Sequence, residues 1–127
     1  MNIKEILPPD AFFGTRYYDQ SRDFITRRIY YTNGRVEAFD GKQWWTVCRL
    51  MSLQIELAKQ AVVESGLRDA KDLTASGVYD AAMLTFAWRL SNQSGMVTNW
   101  VYPALDHPVF EKLEEELDKL ENMANSN

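Results

Sequence analysis

With one histidine and one cysteine in 127 residues, the chain lacks the raw material of most enzyme active sites. A single Cys48 forms no intramolecular disulfide and cannot build a cysteine-rich zinc site. Its setting, TVCRLMSL, is apolar and reads as helical. That suits an inert buried thiol better than a reactive one, which needs an accessible, electropositive site; Arg49 beside it is the one feature on the other side. His107 precedes Pro108 at an expected helix start, where capping or surface roles are commoner than catalysis, so no Ser–His or Cys–His arrangement has a good candidate base. The glycines are dispersed at 14, 34, 41, 66, 77 and 95, and neither GxGxxG nor GxxxxGK(S/T) occurs. This excludes the dinucleotide and phosphate-loop signatures. No stretch resembles an EF-hand loop, and pairs such as Glu37 with Asp40 read as solvated charges. The expectation is a non-enzymatic protein with no catalytic residue, no metal and no cofactor.

Long apolar runs are missing too. Nothing approaches the ~20 residues of a membrane span, and the start MNIKEILPPDAFFG lacks a basic region followed by an apolar core. The expected location is the cytoplasm, the host's if the gene is viral, with no membrane partner. Repeats, low-complexity segments and long linkers are absent as well, so residues 1–127 read as one domain.

Aromatic side chains are abundant, at 13% of the chain, and the net charge of -4 is unevenly spread. Residues 110–127 carry six acids, Glu111, Glu114, Glu115, Glu116, Asp118 and Glu121, against Lys112 and Lys119. The first 50 residues carry eight bases and six acids. An acidic chain of this kind is a poor duplex binder, because that affinity comes from neutralising phosphates.

The periodicity indicates an α+β fold. Residues 1–23 read as an irregular strap, since Pro8 and Pro9 block a helix and FFGTRYYDQSRD mixes aromatics with turn formers. Residues 24–47 read as a three-stranded antiparallel meander with turns at Asn33-Gly34 and Asp40-Gly41. Val47, Leu50, Met51, Ile55, Ala58 and Val62 then recur at helical spacing, predicting a helix over 47–65 that Ser65-Gly66 stops. A second helix is expected over 77–92, capped by Ser76, apolar nearly all round and therefore buried. A fourth short strand is expected near 96–102. A third helix over 107–124 has Pro108 in its first turn and Phe110, Leu113, Leu117, Leu120 and Ala124 at heptad spacing. That stripe suits either packing on its own domain or self-association into a homo-oligomer.

Two-residue turns fix a register. Tyr31 then faces Val36 and Glu37 faces Trp44, so Ile25, Ile29, Tyr31, Val36, Ala38 and Trp45 form the core face. Arg28, Tyr30, Arg35, Glu37, Phe39 and Trp44 collect on the other face as the candidate partner- or ligand-binding site. Rings beside guanidinium groups serve a protein interface, where Trp, Tyr and Arg dominate hot spots. They equally serve a nucleotide or a single-stranded nucleic acid stacked on the rings. A third reading has the FFGTRYY segment covering this face as a second small core. A secondary acidic face, Glu114, Glu115 and Glu121, is either solvated or a mimic of phosphates. The functional expectation is a small binding protein that occludes a surface of another macromolecule, most simply a protein. In type, not in sequence, it is similar to the accessory and inhibitor proteins of phages and other mobile elements. The alternative is a nucleotide or single-strand binder using the arginine and aromatic face.

Overall fold

A computed structural model describes residues 2–72, 82–101 and 108–126. Among the described residues the fold is a mixed α+β one: a six-stranded antiparallel sheet with two α-helices. The strands are β1 (Ala11–Asp19), β2 (Phe24–Tyr31), β3 (Arg35–Phe39), β4 (Trp44–Arg49), β5 (Ala82–Leu90) and β6 (Gln93–Val101); the helices are α1 (Ser52–Glu64) and α2 (Pro108–Asn125). In the sheet the order is β4-β3-β2-β1-β5-β6. The expected meander is therefore present as β2 to β4, and the strand expected near 96–102 is present as β6.

Three expectations need correction. FFGTRYY is no strap: it lies in β1, between β2 and β5. An irregularity between Ala11 and Phe13 lets Phe12 and Phe13 both enter the large core. The covering segment is shorter and earlier, a 3-10 turn over Ile3–Glu5 followed by Ile6 and Leu7, which pack with Ala11, Ile29 and Ala87 into a small second core. The helix predicted over 77–92 is, over 82–90, strand β5. Leu84, Phe86 and Trp88 of β5 pair in register with Tyr17, Thr15 and Phe13, and Phe86 and Trp88 enter the large core, whereas Ala87 packs under the N-terminal segment. A strand covered on both faces shows no polar alternation, which is why it imitates a buried helix in sequence. Ser91 and Asn92, both with positive φ, turn the chain into β6. Ser76, Tyr79 and Asp80 lie outside the described residues, as does His107. The helix expected from residue 47 begins at Ser52, and Cys48 lies in β4, where its thiol is buried.

The β2–β3 register is also shifted by one. Gly34 N–H donates to the Tyr31 carbonyl at 3.0 Å and Gly34 has φ +95, so the loop is three residues long with glycine in the left-handed position. Val36 consequently pairs with Tyr30, and Ala38 with Arg28. A one-residue slip exchanges the faces of a whole strand. At the next turn Asp40 Oδ1 accepts from the backbone N–H groups of Lys42 and Gln43, closing a longer loop that places Phe39 against Trp44 and Ala38 against Trp45. The two tryptophans do lie on opposite faces, but Trp45, expected to be buried against the first helix, is 44% exposed.

Both helices pack on one face of the sheet. Gln54 Oε1 accepts from Met51 N–H at 2.8 Å to start α1, and Gly66, left-handed at φ +84, follows its end. In α2 the heptad residues Phe110, Leu113, Leu117 and Leu120 are buried in the chain's own core, and Phe110 stacks on Phe86 with centroids 3.8 Å apart. The stripe that suggested self-association is thus occupied internally.

The glycine turns yield a contrast. Gly34→Ala is expected to lose at least ~2 kcal/mol in urea unfolding, because a Cβ there collides with the Leu50 carbonyl in addition to straining the backbone. Gly66→Ala, equally left-handed but facing open space, should lose only ~1 kcal/mol. Equal losses would show that the β3–β4 packing around Leu50 is loose.

Candidate functional site

The one-residue register shift divides the six candidate residues. Arg28 and Tyr30 point to the helix side, where Arg28 Nη1 donates to both oxygens of Glu121, at 2.9 and 2.8 Å, and Tyr30 Oη donates to Glu121 Oε1 at 3.0 Å. Glu121 is only 4% exposed and Tyr30 is buried. These three residues tie α2 to β2 and are not a free binding face. Burial pushes the Glu121 carboxyl above its ordinary range, and Arg28 and the Tyr30 hydroxyl pull it back only in part. Burial and the facing carboxylate raise the Tyr30 hydroxyl well above its ordinary value. Burial, reinforced by the Glu121 charge, pushes the Cys48 thiol up to about 11.

Arg35, Glu37, Phe39 and Trp44 do share the opposite face. Arg35 Nε lies 2.9 Å from Glu37 Oε1, and its guanidinium carbon sits 4.4 Å from the Tyr31 ring centroid. Phe39 and Trp44 are in ring contact at 5.2 Å, with Arg27 over Trp44 at 5.4 Å. Arg27 Nη2 also donates to the Ile6 carbonyl at 2.6 Å, and its β1 neighbour is Arg16. Arg16 was missed because FFGTRYYD was read as irregular, although its Phe-Gly-Thr-Arg-Tyr order already places Arg16 out of step with Thr15 and Tyr17.

On the helix side, a cleft of about 670 Å³ opens between the sheet and α2. Thr15, Tyr17, Phe24 and Thr26 line its floor, Glu114, Leu117 and Asp118 its helix wall, and Trp45 the opposite rim. Glu114 makes no ion pair among the described residues, and burial together with the Asp118 charge raises its carboxyl above the ordinary value. The secondary acidic face is therefore not one face: Glu114 lines the cleft, Glu115 is exposed and Glu121 is buried in its ion pair. Among the described residues no group of three or more His, Cys, Asp or Glu side chains is placed to hold a metal ion, and no helix is long and apolar enough to cross a membrane.

No protein-family model matches the chain, and no curated protein matches it. The residues and their geometry carry the functional reading.

Glu121 gives a pH test. Its raised folded value means the folded chain holds that proton more tightly than the unfolded one, a contribution present in full below the unfolded pKa and lost as pH rises through the folded one. The stability difference between wild type and Glu121→Gln should therefore move in the variant's favour as urea unfolding is repeated from about pH 4 to about pH 8. A shift in the wild type's favour would mean that Arg28 outweighs burial.

Proposed function

We propose that the chain is a small non-enzymatic binding protein that docks on a protein partner and occludes part of its surface, in the manner of an inhibitor or accessory protein. The observation that carries this reading is the state of β4. It is one of the two edge strands of the described sheet, Thr46 is exposed, and Trp44 and Trp45 remain 43% and 44% exposed on its two faces. An edge strand offers unpaired backbone donors and acceptors to an added strand, and tryptophan is the side chain most enriched among binding hot spots. A partner segment laid along β4 meets Trp45 at the rim of the cleft on one side and Trp44 beside Phe39 on the other. Lys42 and Arg49, both exposed at the ends of the strand, favour an acidic partner segment and discourage edge pairing between copies of this chain.

A second reading, a nucleotide or single-stranded nucleic acid held on the face opposite the helices, is favoured by one observation: Arg27 stacked on the half-exposed Trp44 ring.

The docking reading is tested by capturing partners from a lysate with tagged wild type, Trp45→Ala and Trp44→Ala, and then measuring affinity for the captured protein. Trp45→Ala should weaken binding by at least ~30-fold, a hot-spot effect, while the melting temperature stays within about 2 °C of wild type. Full affinity in both variants would remove the β4 edge from consideration.

A further inference from the structure

Several charged side chains of the sheet are in ion pairs; among the described residues Arg49 is not, and Arg89 is held by backbone carbonyls instead. Arg22 is held by Asp19, Arg28 by Glu121 and Arg35 by Glu37. Arg16 and Arg27 depart from this pattern. They are Cα partners on β1 and β2, directly across from each other, and among the described residues neither makes an ion pair. Like charges placed opposite one another on adjacent strands repel at Cβ separations of ~5 Å. Burial and the Arg16 charge accordingly lower the Arg27 pKa. Such a pair has an unmet demand for negative charge.

What surrounds the pair narrows the anion. Arg16 lies over the Tyr18 ring at 5.1 Å and Arg27 over Trp44 at 5.4 Å, with Phe39 against the same indole. Stacking holds each guanidinium by its flat face, which leaves the Arg16 edge N–H groups to meet phosphate oxygens in a fork; Arg27, with Nη2 on the Ile6 carbonyl and Nε buried, adds Nη1. The β2–β3–β4 register sets Arg27, Phe39 and Trp44 in one row across the sheet, and β1 adds Arg16 to it. Along the row Arg27 stands two strand spacings from Trp44 and Arg16 three, about 10 and about 14 Å, but the Arg27 side chain closes that gap and brings its guanidinium carbon to 5.4 Å from the indole centroid. A phosphate held on the Arg27 guanidinium is therefore within a nucleotide's length of that ring.

We propose that this row is a nucleotide site, with the phosphate between Arg16 and Arg27 and the base stacked on Trp44. The proposal rests on the second reading above and supplies that reading with its phosphate contacts. One aromatic platform and two cations hold a single nucleotide unit, either free or within a single strand; nothing in the row reads a duplex groove.

The test uses the full chain. Fluorescence anisotropy with a labelled oligothymidylate of about ten residues, at two salt concentrations, is run beside calorimetric titrations with adenosine monophosphate, adenosine and inorganic phosphate. The oligomer and the monophosphate should bind, with adenosine and phosphate each at least ~10-fold weaker, because each engages half of the row. Arg16→Gln should weaken the oligomer ~10-fold and reduce the salt slope by ~0.7, the share of one phosphate contact in a single strand. Arg68→Gln, which removes an exposed charge beside Gln93, should stay within about twofold of wild type. A tighter monophosphate identifies a free nucleotide as the ligand and a tighter oligomer a single strand; both support the site. The proposal is overturned if neither binds at low salt, if adenosine alone matches the monophosphate, or if Arg16→Gln behaves like Arg68→Gln. Any of these with Trp45-dependent partner capture intact leaves the docking reading standing.

Discussion

A carboxylate drawn into an apolar interface must find charge and hydrogen bonds there, and Glu121 finds both in two residues of one strand. Arg28 and Tyr30 are two apart on β2 and therefore project from the same face, close enough together to share one carboxyl group. The inner stripe of α2 otherwise consists of Phe110, Leu113, Leu117 and Leu120, which could slide along the sheet with little change in buried area. The ion pair removes that freedom. With Glu121 fixed over β2, Glu114 and Asp118 stand on the wall of the cleft, and the end of the sheet near Tyr17 and Phe24 stays uncovered by the helix. The concavity follows from where the helix is anchored.

How much of this could be read beforehand depended on whether a local signal had one meaning. Ser65-Gly66 and Pro108 each have a single local interpretation, and α1 ends and α2 begins where they indicate. Asn33-Gly34 does not. The same dipeptide fits a two-residue turn or the last two positions of a three-residue loop, and only the bond from Gly34 to Tyr31 decides between them. That ambiguity of one residue moved Arg28 and Tyr30 from a proposed surface into the helix interface. The β5 segment was misread for another reason: both its faces are covered, so its sequence lacks the alternation that marks a strand. Arg16 became recognisable as part of a charged row only once β1 was known to be a strand.

The two faces of the sheet now divide the chemistry. The helix side holds the large core, the anchored α2 and an acid-walled cleft; the opposite side holds a small core under Ile6 and Leu7 and, next to it, arginines stacked on rings. Trp44 and Trp45 sit at the boundary, one on each side of the edge strand. The electrostatic character of the two sides differs although the chain as a whole is acidic, so an overall charge count says little about what either surface attracts.

The place of β1 in the sheet has a consequence for how the chain holds together. β1 to β4 are joined by successive hairpin turns, whereas β1 meets β5 only after α1 and the long connection that follows, with Phe13 opposite Trp88. The sheet is thus a locally wired half and a distant hairpin, joined along a single ladder whose closure bears the entropic cost of the longest loop in the sheet. If that ladder parts, β1 turns from an inner strand into an open edge carrying Phe13 on one face and Arg16 on the other. The least local contact in the sheet is also the one that keeps its most adhesive strand out of reach of other chains.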